Sequence, residues 1–188
     1  MTTANTVREI QVPLGTVIHA TLPGAHFFDA YTTPDPRPAA SALQTWLDVV
    51  ARTPRWAEQL LAVRNRLVRL VGLKGVGQLQ DVHPPASGAS PSDARSYRVG
   101  DQVGIFVIRH LSDVEVVMGQ DDKHLDVEVS LSKHPGEQGA PATVVLSTVV
   151  HIHNTLGHAY IAVIAPFHRL IVRSMLQGLA AAHRHGQR

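Results

Sequence analysis

Alternating apolar and polar residues run through the second half of the chain and predict a β-sheet. Four stretches, 103–111, 114–119, 124–131 and 143–153, are rich in β-branched residues and are bounded by glycine, aspartate or proline. Their connections are short, so we expect neighbouring strands to pair antiparallel. An aromatic stretch at 26–32 predicts a first strand nearer the N-terminus.

Two helices are predicted between this first strand and the later ones. Apolar residues recur at helical spacing from Leu43 to Val50 and form one face. The dipeptide Thr53-Pro54 is typical of a helix start and predicts a second helix that ends at Gly72. A segment rich in proline and serine follows, and it predicts an exposed, mobile loop insertion at about 74–98.

The C-terminal part is predicted to hold a last strand and then a long helix. Tyr160–Ile164 is a short apolar stretch typical of a strand, and Pro166 is typical of the first position of a helix. The helix is expected to run to about His183, with an apolar stripe from Phe167 to Leu179 that covers the sheet. Because helices are not interleaved with strands, the chain is predicted to be one α+β domain over 1–188.

Composition excludes several classes of protein and site. The chain is 44% hydrophobic and 17% charged, which is typical of a globular protein. It has no cysteine, which excludes disulfides, thiol nucleophiles and thiolate metal sites. A formal net charge of +2 is too small an excess to favour nucleic-acid binding.

A cytoplasmic location is expected because neither a targeting segment nor a membrane span is predicted. Met1–Gln11 has no apolar core of signal-peptide type. The most apolar stretch, Ala159–Leu176, is interrupted by one proline, one histidine and two arginines. A membrane span needs about 20 nearly uninterrupted apolar residues.

Histidines and a carboxylate recur on one face of two predicted strands. Alternation with period two puts His124 and Asp126 on the same face of one strand, and His151 and His153 on the same face of the next. If the strands are neighbours, these groups either ligate zinc or iron, or form a histidine–carboxylate acid–base pair. The alternative is a solvated outer face, which antiparallel sheets commonly have. We favour the solvated face, and we predict no metal and no cofactor.

A second candidate site is the predicted junction between the last strand and the long helix. His168 and Arg169 are expected in the first turn of that helix, where exposed backbone amides together with Arg169 would hold an anionic group. The alternative is a structural hydrogen bond from His168 to the strand loop at Asn154 or Asp122. We favour the structural hydrogen bond.

Several sequence blocks together resemble a bacterial family, domain of unknown function 2867. The blocks are Gly100-Asp101, Gly104-x-Phe106, Asp122-x-His124-Leu125-Asp126, Thr148-Val149-Val150-x-x-His153-Asn154, Gly157-x-x-Tyr160 and Pro166-Phe167-His168-Arg169. The resemblance covers most of the chain and is clearest from 100 to 180. The chain departs from the family in the polar insertion before Gly100 and in His158, where arginine is expected.

The resemblance implies a fold more than an activity. The family is similar to the helix-grip, START-like superfamily (SRPBCC), in which a curved antiparallel sheet wraps a long C-terminal helix. Members of that superfamily often enclose a cavity for a lipid, a polyketide or another apolar molecule. The family brings no catalytic residues that could be transferred to this chain.

The first functional hypothesis is a domain that binds a small apolar molecule between the sheet and the C-terminal helix. An apolar cavity with a few orienting polar groups is the usual form of such a site. The residues expected to bind the ligand are Phe106, Leu125, Val127, Val150, Tyr160, Phe167, His168, Arg169 and Ile171.

Two further hypotheses stay open. One is an enzyme on the same fold, acting as a cyclase, isomerase or hydrolase on an apolar substrate. Its acid–base groups would be His124, Asp126 and His153, which must then face the cavity. The other is an interaction module without a ligand, which forms a homodimer through a sheet edge or through the basic second helix.

Overall fold

The computed structural model describes residues 7–52, 56, 93–136 and 139–185, with side chains as far as Ala181. The strands are β1 (Arg8–Ile10), β2 (Phe27–Pro34), β3 (Gln102–Val103), β4 (Phe106–Leu111), β5 (Glu115–Asp121), β6 (Leu125–His134) and β7 (Thr143–Ile152). The helices are α1 (Ala42–Ala51) and α2 (Thr155–His185), and 3-10 turns span Ile18–Thr21 and Ala94–Ser96.

All the described strands belong to one antiparallel sheet, as the short connections predicted. The order across the sheet is β1-β2-β7-β6-β5-β4-β3, so the first long strand lies against the last one. The strands at 26–32, 114–119, 124–131 and 143–153 are therefore confirmed to within a few residues. The stretch 103–111 forms two strands, β3 and β4, which pair with each other.

The period-two alternation sorts the sheet into two faces. Val129 and Leu131 of β6 pack in one large core with α1 and with the second half of α2. Trp46 of α1 meets Phe106 of β4 edge-on in this core, with ring centroids 6.3 Å apart. α1 starts at Ser41, whose hydroxyl accepts a hydrogen bond from the Gln44 amide, as an N-cap residue does.

The opposite face of the sheet is partly covered by the N-terminal segment. Val145 and Val149 of β7 pack there in a smaller core with Val12 and Ile18. The buried carboxylate of Glu115 fixes this segment, because it accepts hydrogen bonds from the Val17 and Ile18 amides and from the Ser130 hydroxyl. A carboxylate at the amino end of a helical turn satisfies amides that have no partner within the turn.

The C-terminal helix begins eleven residues before the predicted position at Pro166, and the predicted last strand at Tyr160–Ile164 is wrong. This stretch is helical, and Pro166 lies inside α2. The start of the helix is set by Asn154, whose side-chain oxygen accepts a hydrogen bond from the Gly157 amide at 3.1 Å. A short run of β-branched residues does not by itself distinguish a strand from a helix.

Two sequence predictions fall largely outside the described residues. The second helix, predicted from Thr53-Pro54 to Gly72, has only Trp56 within them. The same holds for most of the insertion predicted at 74–98. Its last residues form the 3-10 turn at Ala94–Ser96, and the side chains of Ala94 and Tyr97 are buried in the core.

Close packing at Gly157 generates a stability prediction. A Cβ atom at this position would collide with the backbone carbonyl of His124, whereas a Cβ at Gly178 in the same helix would lie 3.5 Å from the Arg52 carbonyl oxygen, an ordinary contact. We expect Gly157→Ala to lower the free energy of unfolding by about 1–3 kcal/mol, the usual cost of overpacking. Gly178→Ala should raise it by about 0.5–1 kcal/mol through helix propensity.

Urea unfolding of the two single variants measures both effects. Gly178→Ala is the matched control, since the substitution and the helix are the same. Equal effects at the two positions would contradict the close approach of α2 to the end of β6.

Candidate functional site

A carboxylate is buried between the sheet and α2. Asp29 of β2 is paired with Thr148 of β7 in the strand register, and both side chains are on the face that α2 covers. His168 of α2 completes the group: its Nε2 lies 3.3 Å from Asp29 Oδ1 and 3.2 Å from Thr148 Oγ1. The Asp29 side chain is 1% exposed and that of His168 is 24% exposed. Three residues far apart in the sequence therefore form one polar cluster.

The geometry at His168 limits what this cluster can do. Both contacts involve the same ring nitrogen, Nε2. A relay from nucleophile to imidazole to carboxylate needs both ring nitrogens, one for each partner. The cluster is therefore a carboxylate–imidazole pair with Thr148 beside it, and Thr148 is not placed as an activated nucleophile.

Two buried polar atoms, one of them in this pair, have no hydrogen-bond partner in the part of the chain that the structure describes. Among the described residues, Asp29 Oδ2 and the Tyr31 hydroxyl are both buried and make no hydrogen bond. Tyr31 follows Asp29 on the same face of β2 and is fully buried. Burial raises the pKa of the Tyr31 hydroxyl, and the nearby negative charge of Asp29 raises it further. A neutral hydroxyl, which can donate a hydrogen bond, is therefore buried on the same face of β2 as a desolvated carboxylate.

The two parts of α2 pack differently against the sheet. We call residues 155–171 the front half of the helix and residues 172–185 the back half. On the back half, Val172, Met175, Leu176, Leu179 and Ala180 are all buried. On the front half, the positions on the same side, such as Ile161 and Ile164, are only half-buried. Beyond Gly157, which packs closely against His124, the front half therefore lies over the sheet without the close packing of the back half.

Beside β2 and β7, the two strands that α2 contacts most, β6 has apolar residues that are incompletely buried. Leu125 and Val127 of β6 are half-buried, and Val127 is paired with the buried Val150 of β7. Val150 is in turn paired with Phe27 of β2. The Phe27 ring meets the His168 ring edge-on, with centroids 5.8 Å apart. These residues form an apolar surface that leads to Asp29 and Tyr31.

The predicted ligand-binding residues divide into two groups in the structure. The residues near the polar cluster or on the adjacent sheet surface are Leu125, Val127, Val150 and His168, while Tyr160 and Ile171 are half-buried on α2. Phe106 is four strands away from β2 and belongs to the core with Trp46. Phe167 is 45% exposed. Arg169 is exposed, and its guanidinium lies over the Phe27 ring, 5.8 Å from the centroid.

His168 and Arg169 are not at a helix start. Because α2 begins at Thr155, both lie in the middle of the helix, and the predicted anion site of backbone amides with Arg169 has no structural basis. The predicted hydrogen bond of His168 to Asn154 or Asp122 is replaced by the contacts with Asp29 and Thr148.

The predicted acid–base residues come together only in part. His153 Nε2 lies 3.0 Å from Asp126 Oδ2, but the two side chains are 43% and 34% exposed. His124 instead contacts Asn154, and His151 contacts the Thr21 carbonyl oxygen at 2.8 Å. Asp126 alternates with Leu125 and Val127 and is therefore on the sheet face away from α2. In the described part of the chain, no group of three or more histidine or acidic side chains is arranged to hold a metal.

A separate open groove of about 800 Å³ lies beside the start of α1. Its lining includes the N-cap residue Ser41, Gln44 of α1, and five residues of the segment 93–98, namely Asp93, Ala94, Arg95, Tyr97 and Arg98. Both signs of charge are present there, on Asp93, Arg95, Arg98 and Asp113. None of the residues that line this groove belongs to the polar cluster of Asp29, Thr148 and His168.

A comparison with protein families matches residues 21–175 to the model of "Protein of unknown function (DUF2867)". The chain belongs to the DUF2867 family. No curated protein and no solved structure is significantly similar to it. The region matched to DUF2867 contains Asp29, Tyr31, Thr148 and His168, so the whole polar cluster is within the family domain.

The sequence analysis missed Asp29 and Tyr31, although a signal is present. Phe27, Asp29 and Tyr31 alternate on one face of the first long strand, so the aspartate shares its face with two aromatic residues. A lone carboxylate on an otherwise apolar strand face is expected to be buried and paired. Its partner, His168, lies 139 residues later, and no local pattern joins the two.

The pKa shift of Tyr31 predicts how stability depends on pH. A raised pKa means that the folded protein holds the phenolic proton more tightly than the unfolded chain does. The protonated Tyr31 hydroxyl therefore contributes fully to stability below pH 10.0, the ordinary pKa of tyrosine. This contribution is lost as the pH rises through the higher pKa that Tyr31 has in the folded protein. We expect Tyr31→Phe to lose less stability than the wild type above pH 10.0.

At neutral pH, Tyr31→Phe should change the free energy of unfolding by less than about 1 kcal/mol, because the lost hydroxyl has no partner among the described residues. Urea unfolding at a series of alkaline pH values measures both effects. Parallel pH profiles for the two proteins would contradict the burial of this hydroxyl.

Proposed function

We propose that this chain is a small-molecule-binding domain of helix-grip type. Its ligand lies between the sheet and the front half of α2, with a polar group at Asp29 and Tyr31 and an apolar body along β6 and β7. The observation that carries the proposal is that two buried polar atoms, Asp29 Oδ2 and the Tyr31 hydroxyl, have no hydrogen-bond partner among the described residues.

The chemistry of these two atoms selects the polar group of the ligand. Asp29 Oδ2 needs a hydrogen-bond donor, and the neutral Tyr31 hydroxyl offers one. A ligand hydroxyl satisfies both requirements, since it donates to Asp29 and accepts from Tyr31. An unmet hydrogen bond costs about 1–3 kcal/mol at a buried polar group, and more at a charged one, so a ligand that supplies both bonds is favoured.

The apolar body of the ligand would contact residues that the protein itself leaves half-buried. Leu125 and Val127 on the sheet, and Ile161 and Ile164 on α2, have apolar surface that packing within the chain does not bury fully. Burial of apolar surface contributes about 25 cal/mol per Å². An aliphatic or aromatic ligand would bury this surface on both walls.

The general architecture supports the helix-grip assignment. A single antiparallel sheet is covered on one face by a long C-terminal helix that follows directly on the last strand. This is the arrangement that the resemblance to the START-like superfamily implies. The enzyme hypothesis has weaker support, because Asp126 is on the sheet face away from α2 and its partner His153 is 43% exposed.

A matched pair of ligands tests the proposal. A neutral apolar fluorescent probe, N-phenyl-1-naphthylamine, should bind the purified protein and be displaced by 1-decanol. The methyl ether of the same alcohol cannot donate a hydrogen bond to Asp29, so it should displace the probe at least about tenfold less well. Asp29→Asn should reduce the preference for the alcohol, because that preference comes from the hydrogen bond donated to Asp29. Tyr31→Phe should weaken the competition by both compounds, because the ether oxygen accepts a hydrogen bond from Tyr31 as the alcohol does.

Thr33→Val is the matched control for these variants. Thr33 is on the same face of β2 as Asp29 and Tyr31, and its buried hydroxyl also has no partner among the described residues. It is two residues beyond Tyr31 along the strand, in the direction away from Asp29 and His168. Its substitution should leave the preference unchanged. The proposal is wrong if the alcohol and the ether compete equally for the wild type, or if the probe does not bind.

A further inference from the structure

The outer face of the front half of α2 is apolar and exposed. Between positions 159 and 170, the exposed residues are Ala159, Ala162, Val163, Pro166, Phe167, Arg169 and Leu170. Only Arg169 among them is charged. The large side chains are well exposed, at 61% for Val163, 45% for Phe167 and 55% for Leu170. A surface helix normally has polar residues on the side that faces water.

These apolar residues form one continuous stripe. Val163, Phe167 and Leu170 are spaced by four and three residues, so their side chains lie on the same side of the helix. His168, which contacts Asp29 of the sheet, and Val172, which packs in the core, are on the opposite side of the helix. Contiguous exposed apolar patches on soluble proteins commonly mark an interaction site.

The position of α2 favours contact with a membrane surface over insertion through the membrane. By length and composition alone, the stretch Thr155–Ala181 would suffice for a membrane span, and only 17% of its most apolar window is buried. The back half, however, packs into the core through Met175, Leu176 and Leu179. To cross a membrane, α2 would have to leave that core, whereas its outer face can lie on a surface without any rearrangement.

The charges on α2 select among partners. Arg169 and Arg173 are exposed and four residues apart, so they share one side of the helix, next to the apolar stripe. The Arg169 guanidinium lies over the Phe27 ring at this side. No aspartate or glutamate occurs anywhere from Thr155 to Arg188. A second copy that packed through the same stripe would bring these cations together, because a two-fold interface uses the same patch twice. An anionic lipid membrane can instead interact favourably with both: its headgroups attract the cations, and its acyl chains bury the apolar side chains.

We propose that the outer face of the front half of α2 docks on the surface of an anionic lipid bilayer. Val163, Phe167 and Leu170 enter the boundary between headgroups and acyl chains, and Arg169 and Arg173 contact the lipid phosphates. An apolar helix face flanked by cations binds membranes through these two contributions together.

Vesicle co-sedimentation tests the proposal with the full-length protein. Vesicles with one part phosphatidylglycerol to two parts phosphatidylcholine should bind the wild type, and pure phosphatidylcholine vesicles should bind it at least about tenfold less well. The triple substitution Val163→Asn, Phe167→Asn and Leu170→Asn should lower binding to the anionic vesicles at least about tenfold. Arg169→Gln with Arg173→Gln should weaken binding and reduce its dependence on salt.

The matched control removes three exposed apolar side chains elsewhere. Leu14, Val99 and Val114 are 84%, 61% and 61% exposed, and their joint change to asparagine should leave vesicle binding unchanged. Circular dichroism shows that each variant is folded. Equal binding to neutral and anionic vesicles, or unchanged binding of the α2 triple variant, would overturn the proposal. So would a wild-type dimer, detected by light scattering, that the α2 substitutions dissociate and that binds no vesicles.

Discussion

The pairing of β2 with β7 is the constraint on which the candidate site depends. It places the first long strand against the last one and sets Asp29 opposite Thr148. The chain then turns at Asn154, which caps α2, and the helix returns over the same two strands with His168 above the carboxylate. A shift of one residue in this register would move Asp29 to the other face of the sheet, away from α2. The polar cluster, the raised pKa of Tyr31 and the proposed ligand site would then not form.

Most of the sheet could be predicted from the sequence because alternation is a local signal. β6 shows it along most of its length, while β5 and β7 were predicted from their β-branched residues, and the structure has the three strands in sequence order as antiparallel neighbours. The start of α2 could not be predicted in this way. Ile161, Val163 and Ile164 are β-branched and suit a strand, while Pro166 resembles a helix start. The better signal was Asn154, three residues before a glycine that must pack closely against β6.

The candidate site was predicted less well than the fold, and for a physical reason. His168 was identified, but its partners Asp29 and Thr148 lie on strands that meet it only through tertiary structure. Leu125, Val127 and Val150 were chosen as ligand-binding residues by their place in the alternation, and they are on the same face of the neighbouring strands β6 and β7. Phe106 satisfied the same pattern, yet its strand is near the other edge of the sheet. Alternation gives the face on which a residue lies, but it does not give the strand order.

The central claim is that a ligand group joins Asp29 Oδ2 to the Tyr31 hydroxyl beneath the front half of α2. A crystal structure of the protein as purified, refined without an added ligand, tests it most directly. The account predicts electron density for a polar group within hydrogen-bonding distance of both atoms, continuing as an apolar body toward Leu125 and Val127. Density showing the two atoms bonded to other groups of the chain, with side chains filling the space between α2 and the sheet, would contradict it.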